Sequence, residues 1–161
     1  MKTIKLLVFG LLIATNLNSQ LVKIDIENSN IKWTGKEITT KIHYGSLKFI
    51  KGELLFEKNK IVSGEFIVDM TTLNVEDLTG SSKNYLEKHL RSNDFFSVKN
   101  HNQSSLKITD SKLIGSNKYS VNGILKIKGI ENIISFVMNM TDNSSINSNL
   151  IFDRTKYDVR Y

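Results

Sequence analysis

The chain has 161 residues, a formal charge of +6, and neither cysteine nor proline. That length allows one domain with its own core. The missing cysteines exclude a disulfide framework and a lipidated-cysteine anchor. The lysines are scattered rather than gathered in a basic run interleaved with aromatics, which excludes a nucleic-acid groove. They fit a solvated face, or at most a transient attraction to anionic membrane surfaces.

The chain opens MKTIKLLVFGLLIATNLNSQ. Lys2 and Lys5 precede an apolar stretch from Leu6 to Ala14, and small or polar residues follow. This is the layout of a secretory signal peptide over residues 1–20, far short of the ~20 apolar residues that span a bilayer. The expectation is a periplasmic or secreted protein, with cleavage after Ser19. An apolar N-terminal helix of the mature chain is the alternative.

Residues 21–30 read as a polar entry arm. A strand follows at IKWTG (31–35), with Ile31 and Trp33 on one face, and Leu47 and Phe49 mark another. The block 52–70 predicts a hairpin. Leu54 and Phe56 lie in its first arm and Glu57–Lys60 form the turn. Phe66, Val68 and Met70 point inward in the second arm, with Glu65 and Asp69 outward. Residues 71–80 read as a loop ending at Gly80. Ser81 or Ser82 then caps a short helix over 83–91 that places Leu86 and Leu90 on one face, with Tyr85 and His89 beside them. Phe95 and Phe96 call for burial.

Strands resume at Leu106 and Ile108, and Gly115–Lys118 form a turn. In the next run Tyr119, Val121, Leu125 and Ile127 share a face. Ser120, Asn122, Lys126 and Lys128 share the other. Gly123 inside that strand predicts a bend or a close backbone approach. After a turn at Gly129–Asn132, Ile134, Phe136, Met138 and Met140 form another dry face. Residues 141–149 read as a polar loop and 150–161 as a last strand. Seven or eight strands with regular turn spacing predict an antiparallel barrel or sandwich with one short helical insert. The strand pattern is still running at Tyr161.

Catalytic and metal chemistry find little footing. There is no GxSxG elbow. His43, His89 and His101 show none of the spacings of a metal site, so neither catalytic nor metal-ligating residues are assigned. His89, beside Leu86 and Leu90, would sit near a pocket mouth.

In order and spacing the stretches IKWTGKE, GELLFEKNKIVSGEFIVDMTTLNVEDLTG, LEKHLRSNDFFSV, YSVNGILKIKGIENIISFVM and IFDRTKYDV resemble the YceI-like family of exported proteins. The resemblance covers most of residues 25–161. It implies a lipocalin-like, antiparallel eight-stranded β-barrel over 21–161 whose long apolar cavity binds polyisoprenoids such as isoprenoid quinones or prenyl phosphates, with no cofactor. Two departures stand out. His101-Asn102-Gln103-Ser104 replaces the family's usual Tyr-Pro pair. The family pattern also continues past the position of Tyr161 with a Gly-rich turn and a final strand, so the barrel is expected to lack its last strand here.

The expected ligand wall is the set of inward positions: Trp33, Phe49, Phe66, Val68, Met70, Leu106, Ile108, Val121, Leu125, Ile127, Ile134, Phe136, Met138 and Phe152. Arg154, in the family-like DRTKYD stretch, is the expected polar group near one end, with a structural salt bridge as its alternative. A small barrel by default fills its interior, whereas aromatics and flexible methionines suit a long apolar guest. Three readings therefore stay open: a lipid binder, a structural or stress-response protein with a filled core, and an enzyme on a small lipophile.

Overall fold

The computed structural model describes residues 19–36, 41–141 and 145–160. The expected leader lies outside these residues, apart from Ser19 and Gln20. One antiparallel sheet holds eight strands. They are β1 (Ser19–Lys23), β2 (Ile31–Lys36), β3 (Ile42–Glu57), β4 (Lys60–Val75), β5 (Gln103–Gly115), β6 (Lys118–Ile127), β7 (Ile130–Met140) and β8 (Ile146–Asn149). Helix α1 (Gly80–Arg91) lies between β4 and β5, and a 3-10 turn (Arg154–Tyr157) follows β8. No helix among the described residues is long and apolar enough to cross a bilayer.

From β3 to β8 each strand pairs with the next. The first edge is divided. β1 pairs with Glu53–Glu57 of β3 and β2 with Ile42–Leu47, and between them the Ile24 N–H donates to the Gly52 carbonyl at 2.9 Å. At the other edge β8 covers only Val137–Met140 of β7. Among the described residues no pairing joins β8 to β1 or β2, so the sheet is a curled half-barrel.

The hairpin turns follow from local chemistry. Lys58 and Asn59 have φ of 47° and 63°, and Lys128 and Gly129 have φ of 53° and 79°. Two successive positive-φ residues match the right-handed twist of the arms they join. Two glycines let the sheet curl. A Cβ on Gly45 would lie 1.8 Å from the Asn74 carbonyl oxygen, and one on Gly123 2.8 Å from that of Lys107. The close approach expected at Gly123 is therefore present.

Three element boundaries differ from expectation. The separate strands expected at Leu47–Phe49 and 52–57 are one, because bulges between Ser46 and Lys48 and between Phe49 and Lys51 break the alternation without ending the ladder. β4 runs on to Val75 through the expected loop, burying Leu73 and Val75 on either side of Asn74. Helix α1 starts at Gly80, whose φ of +59° turns the chain into it. Its N-cap is Thr79, which makes no side-chain cap bond.

The C-terminal expectation is reversed. Strand β8 lies in the expected polar loop, and residues 150–160 form no strand. Asp153 bends the chain there by accepting from the Thr155 N–H at 2.9 Å and the Thr155 hydroxyl at 2.7 Å. This local side-chain alternative competes with a sheet ladder. β8 forms despite its polarity because β7 offers a partner, with Met138 opposite Ser148 and Met140 opposite Ile146.

The core sits on the concave face in three clusters. At the hairpin end Leu54, Ile61, Ile108, Tyr119, Val121, Phe136 and Met138 pack together. Across the other end Leu125 and Ile127 meet Tyr157 and Val159 of the C-terminal segment. Beside them Leu73, Val75 and Leu90 join α1 to β4. Phe95 and Phe96, edge-to-face at 4.8 Å, pack against both of these last two clusters.

Candidate functional site: the concave face of the half-barrel

The alternation predicted for β5, β6 and β7 holds, and it sets most of the expected wall on the concave face. Ile108, Val121, Phe136 and Met138 are buried in the hairpin-end cluster, with Phe66, Leu106 and Ile134 half-buried against it. Leu125 and Ile127 are buried beneath the C-terminal segment. Met70 is buried and Val68 half-buried farther along β4. Phe49 stands opposite Val68 across the β3–β4 ladder, with its ring 6.0 Å from that of Phe66. Trp33 is half-buried against the cluster of Leu73, Val75 and Leu90.

Two expected residues sit differently. Phe152 is 39% exposed and lies edge-on to Tyr157 at 5.6 Å, because the segment carrying it is not a strand with an inner face. Arg154 donates to the Val159 carbonyl at 2.9 Å, and its guanidinium lies 5.2 Å from the Phe95 ring centroid. It thus folds the C-terminal segment onto the aromatic pair, and among the described residues it bridges no carboxylate.

The concave face is not uniformly dry. Between the clusters runs a strip of half-buried apolar side chains: Phe49, Phe66, Val68, Leu106 and Ile134. A depression of about 460 Å³ opens where β1 and β2 part, with Leu47 and Phe49 in its wall beside Ile26 and Asn30. A second, about 400 Å³, lies outside at the β3–β4 hairpin tip and β5. Neither is the enclosed tunnel that the family resemblance implies.

Polar groups hold the rim. Glu87 of α1 accepts from the Val75 N–H at 2.9 Å and from Arg91 at 3.1 Å, and Arg91 also donates to the Leu73 carbonyl. Burial pushes the Glu87 carboxyl up, but these donors and Lys83 outweigh it and hold it below the ordinary glutamate range. Asp77 follows the same balance. Burial raises it, but the His43 ring nitrogen at 2.6 Å and the Tyr44 N–H at 3.0 Å hold it below the ordinary range. His89 lies edge-on to Phe95 at 5.3 Å. Tyr85, its expected neighbour on that stripe, is exposed. Lys126 pairs with Glu131 on the outer face. Lys128, expected there too, is instead half-buried and donates to the Asp158 carbonyl at 2.8 Å.

Sequence reasoning missed Tyr157 and Val159, whose alternation lay in the segment assigned to a last strand. Among the described residues, three buried side-chain polar atoms have no hydrogen-bond partner: Trp33 Nε1, Ser92 Oγ and Tyr157 Oη. Trp33 and Tyr157 pack in the clusters that share Phe95 and Phe96, and Ser92 lies just before that pair in the chain.

Solved structures share this architecture. The crystal structure of Burkholderia cenocepacia BcnA superposes with a TM-score of 0.69 at 19% identity, over 84% of each chain. A mutant CJ YCEI protein with a monobromobimane guest gives 0.53 at 12% identity, over 98% of this chain and 80% of its own. At these identities the likeness is one of fold. No curated protein sequence matches the chain. The model of the YceI-like domain matches residues 22–161, and so the chain belongs to the YceI-like family.

Proposed function

We propose that the protein is an exported binder, not a catalyst, that takes the polyisoprenoid tail of a quinone- or prenyl-phosphate-like lipid along its concave face. The observation that carries this reading is the strip Phe49, Phe66, Val68, Leu106 and Ile134. Its apolar side chains are left half-buried beside the dry clusters, and one of them, Phe49, lines the depression at the break between β1 and β2. A filled core would have closed over them. Each buried CH₂-sized group contributes ~0.8 kcal/mol, so one five-carbon isoprenyl unit gives about 3–4 kcal/mol at most. Ordering costs remove a good part of it, and a few units still bind. The signal-like leader supports a location outside the cytoplasm, where such a lipid would be carried or sequestered, with transient contact at an anionic membrane surface. A mature chain starting near Gln20, measured by intact mass, supports export.

Mass spectrometry of organic extracts of the purified protein tests the binding. Polyisoprenoid lipid is expected in the extract. Phe66→Ala and Val68→Thr are expected to lower lipid affinity while the far-ultraviolet spectrum of the sheet is kept. Empty extracts, together with no binding of added quinone or prenyl lipid, overturn the reading.

A further inference from the structure

Tyr157 is 1% exposed and its hydroxyl has no partner. A buried hydroxyl without a hydrogen bond is costly, and buried polar groups are nearly always paired. Nothing local demands a tyrosine there. The 3-10 turn is closed by Asp153 and by backbone bonds from Lys156 to Asp153 and from Asp158 to Thr155. Phenylalanine would fill the same space among Leu125, Ile127 and Val159.

We propose, building on the lipid-binding reading above, that the Tyr157 hydroxyl donates a hydrogen bond to an uncharged oxygen acceptor, of the carbonyl class, at the polar end of the bound lipid. Three observations give the acceptor its character. Trp33 Nε1, the orphan beside the neighbouring cluster on which Phe95 and Phe96 also pack, can only donate, so both clusters call for acceptor oxygens. The side chains clustered with Tyr157, among them Leu125, Ile127 and Val159, are apolar, so a phosphate buried among them would be desolvated at high cost. Arg154, in the same 3-10 turn, is committed to the Val159 carbonyl and the Phe95 ring, and Lys128 to Asp158. Burial pushes the phenol up from its ordinary value, which keeps it a neutral donor throughout the physiological range.

The test compares wild type and Tyr157→Phe in the full chain, with a short-chain ubiquinone and a prenyl phosphate of equal tail length as probes. The quinone is expected to bind Tyr157→Phe about three- to tenfold more weakly, with the prenyl phosphate unchanged. The melting temperature of the lipid-free variant is expected to stay level or rise, because an unpaired hydroxyl has been removed. Equal quinone affinity for both proteins, equal losses for both lipids, or a lower melting temperature for the lipid-free variant each overturns the assignment and leaves the carrier reading standing. Failure of wild type to bind either lipid overturns the carrier reading, and the assignment with it.

Discussion

Two buried tyrosines separate the ends of the half-barrel. At the hairpin end Tyr119 is 4% exposed, and its hydroxyl donates to the Asn59 carbonyl at 3.0 Å. Its buried neighbour Ser111 donates to the Ile61 carbonyl at 2.6 Å. At the other end Tyr157 is as deeply buried and unpaired, and the Trp33 and Ser92 orphans lie near the same aromatic pair. One end is finished as a protein core is finished, with both of these buried hydroxyls bonded. The other keeps donors that the chain itself does not satisfy. The difference is that the buried donors left without a partner among the described residues gather at the end covered by α1 and the C-terminal segment, not at the hairpin end.

The largest expected effect lies at the closed end. Leu54 is 1% exposed amid Ile61, Ile108 and Val121. Leu54→Ala is expected to cost ~2–5 kcal/mol in urea unfolding, transfer and cavity terms together. Lipid affinity per folded molecule should be unchanged. A selective loss of affinity would mean that the ligand reaches the hairpin end, and the contrast between the ends would break.

Next comes the clamp of α1 at the open end. Glu87→Ala removes the acceptor of the Val75 N–H and the partner of Arg91, and is expected to cost about 1.5–3 kcal/mol. The Glu87 carboxyl is held below its ordinary range in the fold. Its contribution is therefore fully present above the unfolded value of ~4.3 and lost as pH falls through the lower folded one. The stability gap between wild type and variant should shrink as pH falls below the unfolded value. A gap independent of pH would show that the Glu87 carboxylate is not what clamps the helix to β4.

How much of this could be read from the sequence divides along the same line. Alternation in β6 and β7, the Lys58-Asn59 turn and the strained approach at Gly123 are local signals, and they gave the closed end nearly complete. The open end depends on choices between local and tertiary partners. The Asp153-x-Thr155 pairing is a turn signal that lay inside an apparent strand period, so Phe152 was placed inward and Tyr157 overlooked. The polar Ile146-Asn147-Ser148-Asn149 stretch becomes a strand only because β7 has a free edge. Bulges in β3 reset the alternation between Leu47 and Gly52, and no period-two pattern survives that. Which side chains end half-buried, and which hydroxyl lacks a partner, are properties of the assembled face rather than of any segment.

The smallest effect is the sharpest probe of the two tyrosines. Tyr119→Phe keeps the ring in its cluster and removes one hydrogen bond to the Asn59 carbonyl, so it is expected to lower stability by about 0.5–1.5 kcal/mol. Asn59 sits in the positive-φ turn between β3 and β4, so hydrogen exchange should quicken first at that hairpin tip. The sign is the point. The same deletion of one oxygen destabilises where the hydroxyl is paired and leaves the lipid-free protein no worse where it is not, so a loss of equal size at both positions would mean that the two ends are built alike.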